Sequence, residues 1–358
     1  MELTVGLIGC GRFAPMHLDA LVRNRHARRV IAADPDEMAL QEMYRRYGII
    51  KRVEADWRAV IDAEDVDIID VLTPHDSHCE IAVAALEAGK HVICEKPIAR
   101  TLDEADAMIA AAEAAGRRLL ISLPQVHFPS VARSRELLAE GTIGRPYLAV
   151  FNVYDDEVQR MSDPDHWKGD LERAGGGVLI DAGYHPTYVM LHLFGRPRAV
   201  TSMCRRLVID TEGTGEDTAA VALDLGEGMM GTIAVTFADD AERYRAERRI
   251  LGTEGVLLMR DMPEDELPLL LMQGEDVLPV PVHNPLHVPP YALEATIDDL
   301  IGAIVEDREP IASTQLARDT LATVLAAYES EATGRRVELS WAPAPGGDAE
   351  EDMPHGQG

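Results

Sequence analysis

The chain has few residues of several kinds, and each scarcity excludes a class of protein. No stretch of the sequence approaches the roughly 18 to 20 uninterrupted apolar residues that a membrane-spanning helix needs. The N-terminus lacks the basic region and the cleavage site of a signal peptide, and its apolar residues predict a strand instead. We therefore expect a cytoplasmic protein without membrane attachment.

Cysteine is also rare. The four cysteines show neither C-x-x-C spacing nor a histidine at the spacing of a zinc ligand; they are Cys10, Cys79, Cys94 and Cys204. Free thiols of this kind are typical of the apolar core of a protein in a reducing compartment. The sequence accordingly predicts no metal site.

Positive charge is scarce, and lysine most of all. Lysine and arginine together number 34 against 62 aspartates and glutamates, which gives a formal net charge of -28 and an isoelectric point near 4.7. A phosphate backbone or an anionic membrane repels such a surface, so we expect neither as a partner. The acidic excess fits adaptation to high salt, where self-repulsion is screened, and equally the codon usage of a GC-rich genome.

With 358 residues the chain is too long for one compact core, and its patterns divide it into two domains. Residues 1–122 alternate strand and helix patterns, which predicts an α/β domain with a doubly wound parallel sheet. The predicted strands are residues 4–8, 29–33, 66–72, 91–94 and 119–122. The predicted helices are residues 14–24, 38–47, 78–88 and 101–116.

Residues 123–341 mix helical patterns with strand patterns that follow one another without helical crossovers. The predicted strands are residues 147–153, 199–206, 218–225, 231–237, 249–252 and 337–341, and the predicted helices are residues 131–140, 183–194, 291–306 and 315–328. Such runs of strands favour a large, mostly antiparallel sheet, and hence an α+β fold for this second domain. Residues 342–358 are rich in proline, glycine and acid with little to bury, which predicts a disordered acidic tail.

A glycine-containing turn follows the first predicted strand and opens the first predicted helix, as a dinucleotide-binding fingerprint requires. In residues 9–14, Gly9 permits the tight turn and Gly11 lets the backbone approach a pyrophosphate. Asp34, at the end of the second strand, would accept hydrogen bonds from the adenosine ribose and repel a 2′-phosphate. The turn and the acid together predict NAD as the cofactor, with an ordinary glycine turn as the alternative. The residues of this predicted site are Gly9, Gly11, Arg12, Phe13 and Asp34.

The loop after the strand at residues 66–72 lies at the same edge of the predicted sheet, where doubly wound folds bind their ligands. We interpret this loop as facing the cofactor; its candidate residues are Thr73, Pro74, His75 and His78. His78 is equally suited to start the next helix without contacting a ligand.

Lys96 follows the apolar strand pattern of residues 91–94 and stands between Glu95 and Pro97. Because the proline stops the strand and biases the preceding residue toward an extended backbone, a stiff turn would aim the lysine at the ligand edge of the sheet. An ordinary surface lysine is the alternative.

A second candidate group lies in residues 175–185, which begin with three glycines. Asp181 and His185 are four residues apart, so on a helix they share one face and can reach a common substrate atom. Together with Lys96 they form an acid/base set, although an exposed pair at the start of a helix would show the same spacing.

The order of these motifs resembles that of the Gfo/Idh/MocA oxidoreductase family over about residues 3–339. The matching stretches are residues 9–14, 73–74, 95–97, 141–144, 181–185 and 252–255. The resemblance implies a Rossmann domain that binds a nicotinamide dinucleotide, and a second domain whose large sheet carries substrate residues and the oligomer interface. It further implies that the catalytic residues are Lys96, Asp181 and His185.

The resemblance also implies further residues around the pocket. Those on the cofactor side are Glu95, Lys96, Trp167 and Lys168, and those on the substrate side are His127, Tyr154, His166, Asp181, His185 and Tyr291. The chain departs from the family at three positions near the pocket. It has His75 where asparagine is common, His127 where arginine is common before a phenylalanine, and Tyr188 where aspartate is common. These departures leave the identity of the substrate open.

By this resemblance we expect an NAD-dependent dehydrogenase that oxidises a secondary hydroxyl of a sugar, polyol, inositol or related cyclic carbohydrate, as a homodimer or homotetramer. His185 would take the hydroxyl proton, Lys96 would hold the same oxygen, and Asp181 would orient the imidazole or bond a neighbouring hydroxyl. Two alternatives stay open: a redox-neutral lyase, hydrolase or epimerase that keeps NAD bound, and a dinucleotide sensor without turnover. The intact acid/base set argues against the sensor.

Overall fold

The computed structural model describes residues 2–239, 245–260, 267–282 and 292–341. Tyr291 and the tail predicted at residues 342–358 lie outside the described residues. Within these ranges, no helix combines the length and the apolar character that crossing a membrane requires.

The first domain is a parallel sheet with helices on its faces. Its strands are β1 (Leu3–Ile8), β2 (Ala27–Ala33), β3 (Ile50–Glu54), β4 (Ile68–Val71), β5 (His91–Glu95) and β6 (Leu119–Ser122). Its helices are α1 (Ala14–Arg23), α2 (Glu37–Arg46), α3 (Trp57–Ile61), α4 (His78–Glu87) and α5 (Leu102–Ala115). The six strands are all parallel, in the order β3-β2-β1-β4-β5-β6. Every residue of β1 and β4 is buried, as expected for strands that helices cover on both faces. The predicted doubly wound sheet is confirmed.

Two elements of this domain did not follow from the sequence patterns. β3 lies at the edge of the sheet and exposes Lys51 and Arg52, so it lacks the apolar run of a buried parallel strand. α3 has five residues, which is too short for a helical period to stand out.

The second domain contains a nine-stranded sheet. Its strands are β7 (Pro146–Tyr154), β8 (Ala199–Arg205), β9 (Thr218–Gly226), β10 (Met229–Thr236), β11 (Arg245–Gly252), β12 (Val256–Arg260), β13 (Leu269–Gln273), β14 (Asp276–Pro279) and β15 (Val337–Glu338). Helices in this part of the chain are α6 (Pro129–Ala139), α7 (Val158–Met161), α8 (Leu171–Ala174), α9 (Val178–Asp181), α10 (Tyr184–Phe194), α11 (Leu293–Glu306) and α12 (Thr314–Thr333). The strand order is β14-β13-β12-β11-β7-β10-β9-β8-β15. The pair β7–β10 is parallel and the other pairs are antiparallel, which confirms the predicted mostly antiparallel sheet.

The two faces of this sheet have different surroundings. α10 packs against β7 and β10, and α12 packs against β8, so both helices cover the inner face. Phe151 and Val153 of β7 point to that face and are fully buried. Side chains alternate along a strand, and the outer face carries Met203 and Met230, which are exposed.

Helix α11 departs from the predicted division into two domains. It follows the second sheet in the chain, yet its apolar residues Leu293, Ile297 and Ile301 pack with Leu18 and Leu21 of α1. A late segment of the chain therefore completes the helical layer of the first domain.

The first sheet has a crevice at the carboxyl ends of its two central strands, β1 and β4. β1 and β4 are neighbours in the sheet, and the chain winds away from them in opposite directions. Open α/β sheets bind their ligands outside the carboxyl ends of the strands at such a point. The glycine turn after β1 and the loop after β4 border this crevice.

Candidate active site

The turn after β1 has the geometry that a dinucleotide needs. Gly9 has a φ of +103°, and a Cβ atom there would lie 2.6 Å from the carbonyl oxygen of Leu72, so a side chain is excluded. Among the described residues, no heavy atom lies within 4 Å of a Cβ placed on Gly11, which leaves an open cradle before α1. In the same part of the chain, no side-chain hydrogen bond caps the start of α1 at Phe13. Backbone N–H groups at such a helix start bind pyrophosphate, so these residues fit the cofactor.

Asp34 lies directly after β2, beside the glycine turn. Its Oδ2 accepts a hydrogen bond from the backbone N–H of Cys10 at 2.6 Å, and its Oδ1 accepts one from that of Asp36 at 2.7 Å. These bonds fix the carboxylate, and each oxygen retains capacity for another donor. The carboxylate is thus placed to accept ribose hydroxyls and to repel a 2′-phosphate.

In the loop after β4, Thr73 and Pro74 are half-buried at the edge of the sheet, and His75 is buried. His75 lies with Nδ1 2.8 Å from the carbonyl oxygen of Ala174, so this nitrogen carries the proton, and its ring meets that of Trp167 with centroids 4.5 Å apart. Burial lowers the pKa of His75 to about 3, which keeps the ring neutral. Through these contacts with Ala174 and Trp167, His75 connects the loop after β4 to the segment of the second domain that precedes Asp181.

His78 begins α4, which is the alternative to a cofactor contact that the sequence left open. The side chain is fully buried, with Nδ1 2.9 Å from the carbonyl oxygen of Pro97 and Nε2 3.0 Å from that of Thr73. As the first residue of α4, it points inward and holds together the loops that follow β4 and β5.

Glu95 is buried in a charged network behind Lys96. His17 lies with Nε2 3.1 Å from Oε1 of Glu95 and with Nδ1 2.8 Å from Oδ2 of Asp70. Burial alone would lower the pKa of His17, but Asp70 and Glu95 outweigh this effect and raise the pKa to about 10. Oε2 of Glu95 accepts a hydrogen bond from the backbone N–H of Lys96 at 3.2 Å. The network therefore fixes the backbone that carries the lysine.

Lys96 contacts Asp181, which lies 85 residues further along the chain. Its Nζ donates to Oδ1 of Asp181 at 2.6 Å and to the backbone carbonyl oxygen of the same residue at 3.2 Å. The Lys96–Pro97 peptide bond is cis. The structure thus brings together two of the three predicted catalytic residues from the two domains.

A second lysine holds the other oxygen of the same carboxylate. Nζ of Lys168 lies 2.6 Å from Oδ2 of Asp181, an ion pair without the angle of a hydrogen bond. Burial alone would raise the pKa of Asp181, but Lys168 and Lys96 hold it well below its usual value. Asp181 is therefore a permanent carboxylate, and Lys168, expected on the cofactor side, contacts the acid/base residues directly.

His185 lies in the first turn of α10 and is half-buried. Its Nδ1 is 3.0 Å from the hydroxyl oxygen of Tyr188, and within the described part of the chain its Nε2 makes no hydrogen bond. Burial, followed by the charge of Lys96, lowers the pKa of His185 well below its usual value, so the ring is neutral. Among the described residues, Asp181 makes no hydrogen bond to this imidazole, and the contact at Nδ1 comes from Tyr188.

Glu157 joins this group to the dinucleotide turn, although the sequence patterns did not indicate it. Its side chain is 2% exposed and lies 2.8 Å from Nη1 of Arg12, 2.6 Å from Nη1 of Arg160 and 3.4 Å from Nζ of Lys168. Burial would raise the pKa of Glu157, but Lys168 and Arg160 lower it below its usual value. Because it stands in an acidic run of the sequence, Glu157 has the local pattern of a solvated loop. The resulting chain of alternating charges is Arg12, Glu157, Lys168, Asp181 and Lys96.

Three further buried residues lie behind His185: Tyr188, which the sequence marked as a departure near the pocket, and Gln125 and Arg248, which were not predicted. Tyr188 accepts a hydrogen bond on its hydroxyl oxygen from the backbone N–H of Gln125 at 3.0 Å. Arg248 of β11 is fully buried and donates to Oε1 of Gln125, and its charge contributes to the lowered pKa of His185. The sequence did contain an indication of Arg248. Side chains alternate along β11, and Arg248 occupies a position on the same buried face as the apolar residues two before and two after it.

Two further residues expected on the substrate side are His127 and Tyr154. Nε2 of His127 is 3.8 Å from Oδ2 of Asp299 on α11, and burial lowers the pKa of His127. Tyr154 ends β7 on the sheet face opposite the buried Val153. Among the described residues, neither side chain makes a hydrogen bond or ion pair with Asp181, and their place at the substrate stays a prediction.

His166 and Trp167 stand beside Lys168. Nδ1 of His166 accepts a hydrogen bond from the backbone N–H of Lys168 at 3.2 Å, and the ring centroids of His166 and Trp167 are 5.9 Å apart. Burial, followed by the charge of Lys168, lowers the pKa of His166. These aromatic rings form a wall next to the acid/base residues.

The first domain combines a doubly wound sheet with a dinucleotide turn, and its Lys96 contacts a carboxylate of the second domain near a neutral imidazole. This combination is typical of pyridine-nucleotide oxidoreductases. The family model described as an oxidoreductase family with an NAD-binding Rossmann fold matches residues 3–123, and the model of the GFO/IDH/MocA C-terminal domain matches residues 131–258. The chain belongs to the Gfo/Idh/MocA family. It is an NAD-dependent oxidoreductase that acts on CH–OH groups.

Relatives of known activity and structure support this assignment. The levoglucosan dehydrogenase of Pseudarthrobacter phenanthrenivorans is 30% identical over 296 residues, which cover 74% of this chain and 75% of that protein. The D-apiose dehydrogenase of Paraburkholderia graminis is 29% identical over 345 residues, which cover 93% of this chain and 88% of that protein. The structure of a levoglucosan dehydrogenase in complex with NADH and levoglucosan matches with a TM-score of 0.85 at 25% identity, over 95% of this chain and 100% of that chain.

Proposed function

We propose that this oxidoreductase oxidises a secondary hydroxyl of a sugar, polyol, inositol or related cyclic carbohydrate, with Lys96 and His185 acting on the hydroxyl oxygen. One observation carries the proposal: Lys96 of the first domain reaches Asp181 of the second at 2.6 Å. Asp181 ends α9 and the neutral His185 lies in the first turn of α10, so the two stand on successive helices and not, as expected, on one helix. An ammonium donor and a neutral base thus border the same crevice as the dinucleotide turn.

Each residue has a separate task in this proposal. Bound NAD supplies the hydride acceptor. Nε2 of His185 takes the proton of the substrate hydroxyl, since the ring is neutral and this nitrogen has no partner among the described residues. Lys96 donates a hydrogen bond to the same oxygen and stabilises the negative charge that develops there.

Asp181 acts as a fixed anion. Its two oxygens lie 2.6 Å from the ammonium groups of Lys96 and Lys168. An ammonium has three protons, so the contact with Asp181 orients Nζ of Lys96 and leaves protons for a substrate oxygen. Burial would raise the pKa of Asp181, but both lysines hold it well below the usual value, so the group is an anion at neutral pH.

A carbohydrate substrate is supported by the relatives and by the chemistry of the site. The relatives are named for levoglucosan and D-apiose, both polyhydroxy compounds. The site presents ammonium, carboxylate and imidazole groups close together, and such groups pair with the donors and acceptors of several neighbouring hydroxyls.

The substrate class is tested by the absorbance of reduced nicotinamide. The protein, in molar potassium chloride, is mixed with NAD or NADP and a panel of sugars, inositols and anhydrosugars. Signal growth with NAD and one class of sugar is the expected result. A flat trace across the panel, with nucleotide retained through purification, would instead favour the redox-neutral reaction.

Lys96→Ala tests the assigned roles once a substrate is known. We expect turnover to fall by about 100-fold or more, the effect of removing one donor that stabilises a developing oxyanion, while the dissociation constant of NADH changes little. Lys51→Ala is the matched control, because Lys51 is exposed and donates to the carbonyl oxygen of Gly48 far from the site. Unchanged turnover in Lys96→Ala would end the assignment.

We also propose that a second copy of the chain covers the outer face of the nine-stranded sheet, giving a homodimer or homotetramer. Met203 and Met230 on that face are 62% and 60% exposed, and a second copy would bury this apolar surface. Light scattering after size-exclusion chromatography tests the assembly, and a monomer at micromolar concentration would contradict it. We further propose a cytoplasmic location, expected from the N-terminal sequence, and the absence of nucleic-acid and membrane partners, expected from the net charge of -28.

A further inference from the structure

His185 can act as a base at Nε2 in only one of its two neutral forms. A neutral imidazole carries a single proton, on Nδ1 or on Nε2. If Nε2 carries the proton, the nitrogen that faces the substrate is a donor and cannot accept the hydroxyl proton. The group that contacts Nδ1 therefore decides whether His185 can perform its task.

Tyr188 is the group in contact with Nδ1. Its side chain is fully buried, its hydroxyl oxygen lies 3.0 Å from Nδ1, and the two rings meet nearly edge-on with centroids 5.6 Å apart. The same oxygen accepts the backbone N–H of Gln125 at 3.0 Å. A backbone N–H can only donate, so the oxygen presents one lone pair to Gln125, and its position does not depend on the side chain of His185.

We propose that Tyr188 is a positioning residue that accepts the Nδ1–H of His185 and so leaves the lone pair of Nε2 free for the substrate proton. This inference rests on the proposed function, in which Nε2 is the base. When Nε2 takes the proton, the ring becomes an imidazolium, and its Nδ1–H bond to the phenol oxygen becomes charge-assisted and therefore stronger.

No carboxylate among the described residues competes for this task. Asp181 is nearest in sequence, but its oxygens are held by Lys96 and Lys168, and no carboxylate oxygen in the described ranges lies within 4.0 Å of a ring nitrogen of His185. Among the described residues, the phenol oxygen of Tyr188 is therefore the group within hydrogen-bonding distance of Nδ1.

A phenol fixes the tautomer without adding negative charge. A carboxylate at this position would raise the pKa of the imidazole and favour the protonated ring, which cannot act as a base. Tyr188 stands where family members commonly have aspartate, and in this chain it offers Nδ1 an acceptor without a negative charge. In this chain the base should consequently stay active at a lower pH than a histidine beside a carboxylate would.

Nitrogen NMR tests the tautomer without any substrate. In protein with 15N-labelled histidine, long-range 1H–15N correlations distinguish protonated from unprotonated ring nitrogens, and the spectrum of His185→Asn assigns the signals of His185. We expect the proton on Nδ1 in the wild type, and a shift of the proton toward Nε2 in Tyr188→Phe. A wild-type proton on Nε2, or a tautomer that is the same in Tyr188→Phe, would overturn the inference.

Tyr184→Phe is the matched control. Tyr184 lies one turn earlier on α10, is also fully buried, and donates its hydroxyl proton to the carbonyl oxygen of Ala317 at 2.5 Å. Its replacement removes one buried hydrogen bond from the same helix but leaves Nδ1 of His185 untouched. The signals of His185 should therefore stay in place in this variant, and melting curves of both variants show whether they are folded.

Kinetics on a reactive substrate test the consequence. Tyr188→Phe should lower kcat about tenfold, equivalent to ~1.4 kcal/mol, with KM little changed. Tyr188→Asp restores an acceptor at Nδ1, so it should recover kcat relative to Tyr188→Phe and move the acid limb of the kcat/KM profile to higher pH. A merely structural tyrosine would not move that limb.

The two measurements separate failure of this inference from failure of the proposed function. If the tautomer shifts in Tyr188→Phe but kcat stays at the wild-type level, the hydrogen bond exists and His185 is not the base, which overturns both the role of Tyr188 and that part of the proposed function. If kcat falls while the tautomer is unchanged, the proposed function stands and the positioning role is overturned.

Discussion

Replacement of Glu157 by glutamine removes the charge at the centre of the network that joins the two domains, with little change in shape. The carboxylate lies 2.8 Å from Arg12, 2.6 Å from Arg160 and 3.4 Å from Lys168. The side chain of Glu157 is 2% exposed and that of Lys168 is 16% exposed. Water therefore cannot solvate the ammonium of Lys168 in place of the lost carboxylate. We therefore expect the variant to be less stable than the wild type.

The magnitude follows from the exposure of the partners. Arg12 and Arg160 are 53% and 40% exposed, and ion pairs exposed to this degree contribute about 0 to 1 kcal/mol each. Removing one partner of a buried pair costs about 3 to 5 kcal/mol, which is an upper bound because Lys168 keeps its contact with Asp181. The free energy of unfolding should fall by about 2 to 3 kcal/mol.

The effect should depend on pH in a definite direction. Burial raises the pKa of Glu157 while Lys168 and Arg160 lower it, and the balance lies below the usual value of 4.5. A carboxylate with a lowered pKa contributes stability above its unfolded pKa, and this contribution is lost as pH falls through the folded pKa. The difference between variant and wild type should thus be full at pH 7 and shrink below pH 4.5.

Urea unfolding, followed by circular dichroism at neutral and at acid pH, measures this difference. Asp319→Asn is the control, because Asp319 is 7% exposed and pairs with Arg196 at 2.6 Å outside the site. Both variants should lose stability at pH 7, but Glu157→Gln alone should also lower kcat, since Lys168 loses one of its two anchors. A loss under about 0.5 kcal/mol, the range of ordinary surface substitutions, would refute the reasoning.

Three further predictions follow from individual residues and from the charge. Burial lowers the pKa of His17 but Asp70 and Glu95 raise it to about 10, so its stabilising charge is fully present below pH 6.5 and lost as pH rises through about 10. The melting temperature should fall over this range in the wild type and less steeply in His17→Gln, and equal slopes would contradict the buried network. Asp34→Ser should weaken NAD binding by about 10-fold, the loss of one charge-assisted hydrogen bond, and permit use of NADP. Asp36→Ser keeps the cap of α2 and serves as its control, and an unaltered cofactor preference would show that Asp34 does not contact the ribose. If the acidity reflects a saline habitat, the melting temperature should rise between low and molar salt, whereas a flat response favours codon usage.

The elements that could be predicted are those whose causes lie close together in the chain. β1 and β4 are continuous apolar runs because helices cover both of their faces, and such runs are visible without knowledge of any neighbour. The strands that were missed are short. β3 and β14 lie at sheet edges, and only one residue of β3 and none of β14 is buried. β12 and β13 have five residues each, of which two are buried. Their pairing with a neighbouring strand, rather than their own residues, decides that they are strands.

The candidate site divides in the same way. Gly9, Lys96 and the pair Asp181 and His185 stand at places that local sequence marks: a turn after a strand, a proline stop and a glycine run before a helix. Their identity and order were sufficient to predict the family, the cofactor and the set of candidate catalytic residues.

The partners of these residues depend on how the two domains pack. Arg12 and Glu157 are 145 residues apart, and Gln125 and Tyr188 are 63 apart. Local patterns describe which face of an element is apolar, but they contain no information on which polar side chain meets another across an interface. The tertiary structure alone decided that Asp181 pairs with two lysines and that Tyr188, rather than a carboxylate, holds the imidazole, because those contacts exist only after distant segments are brought within hydrogen-bonding distance.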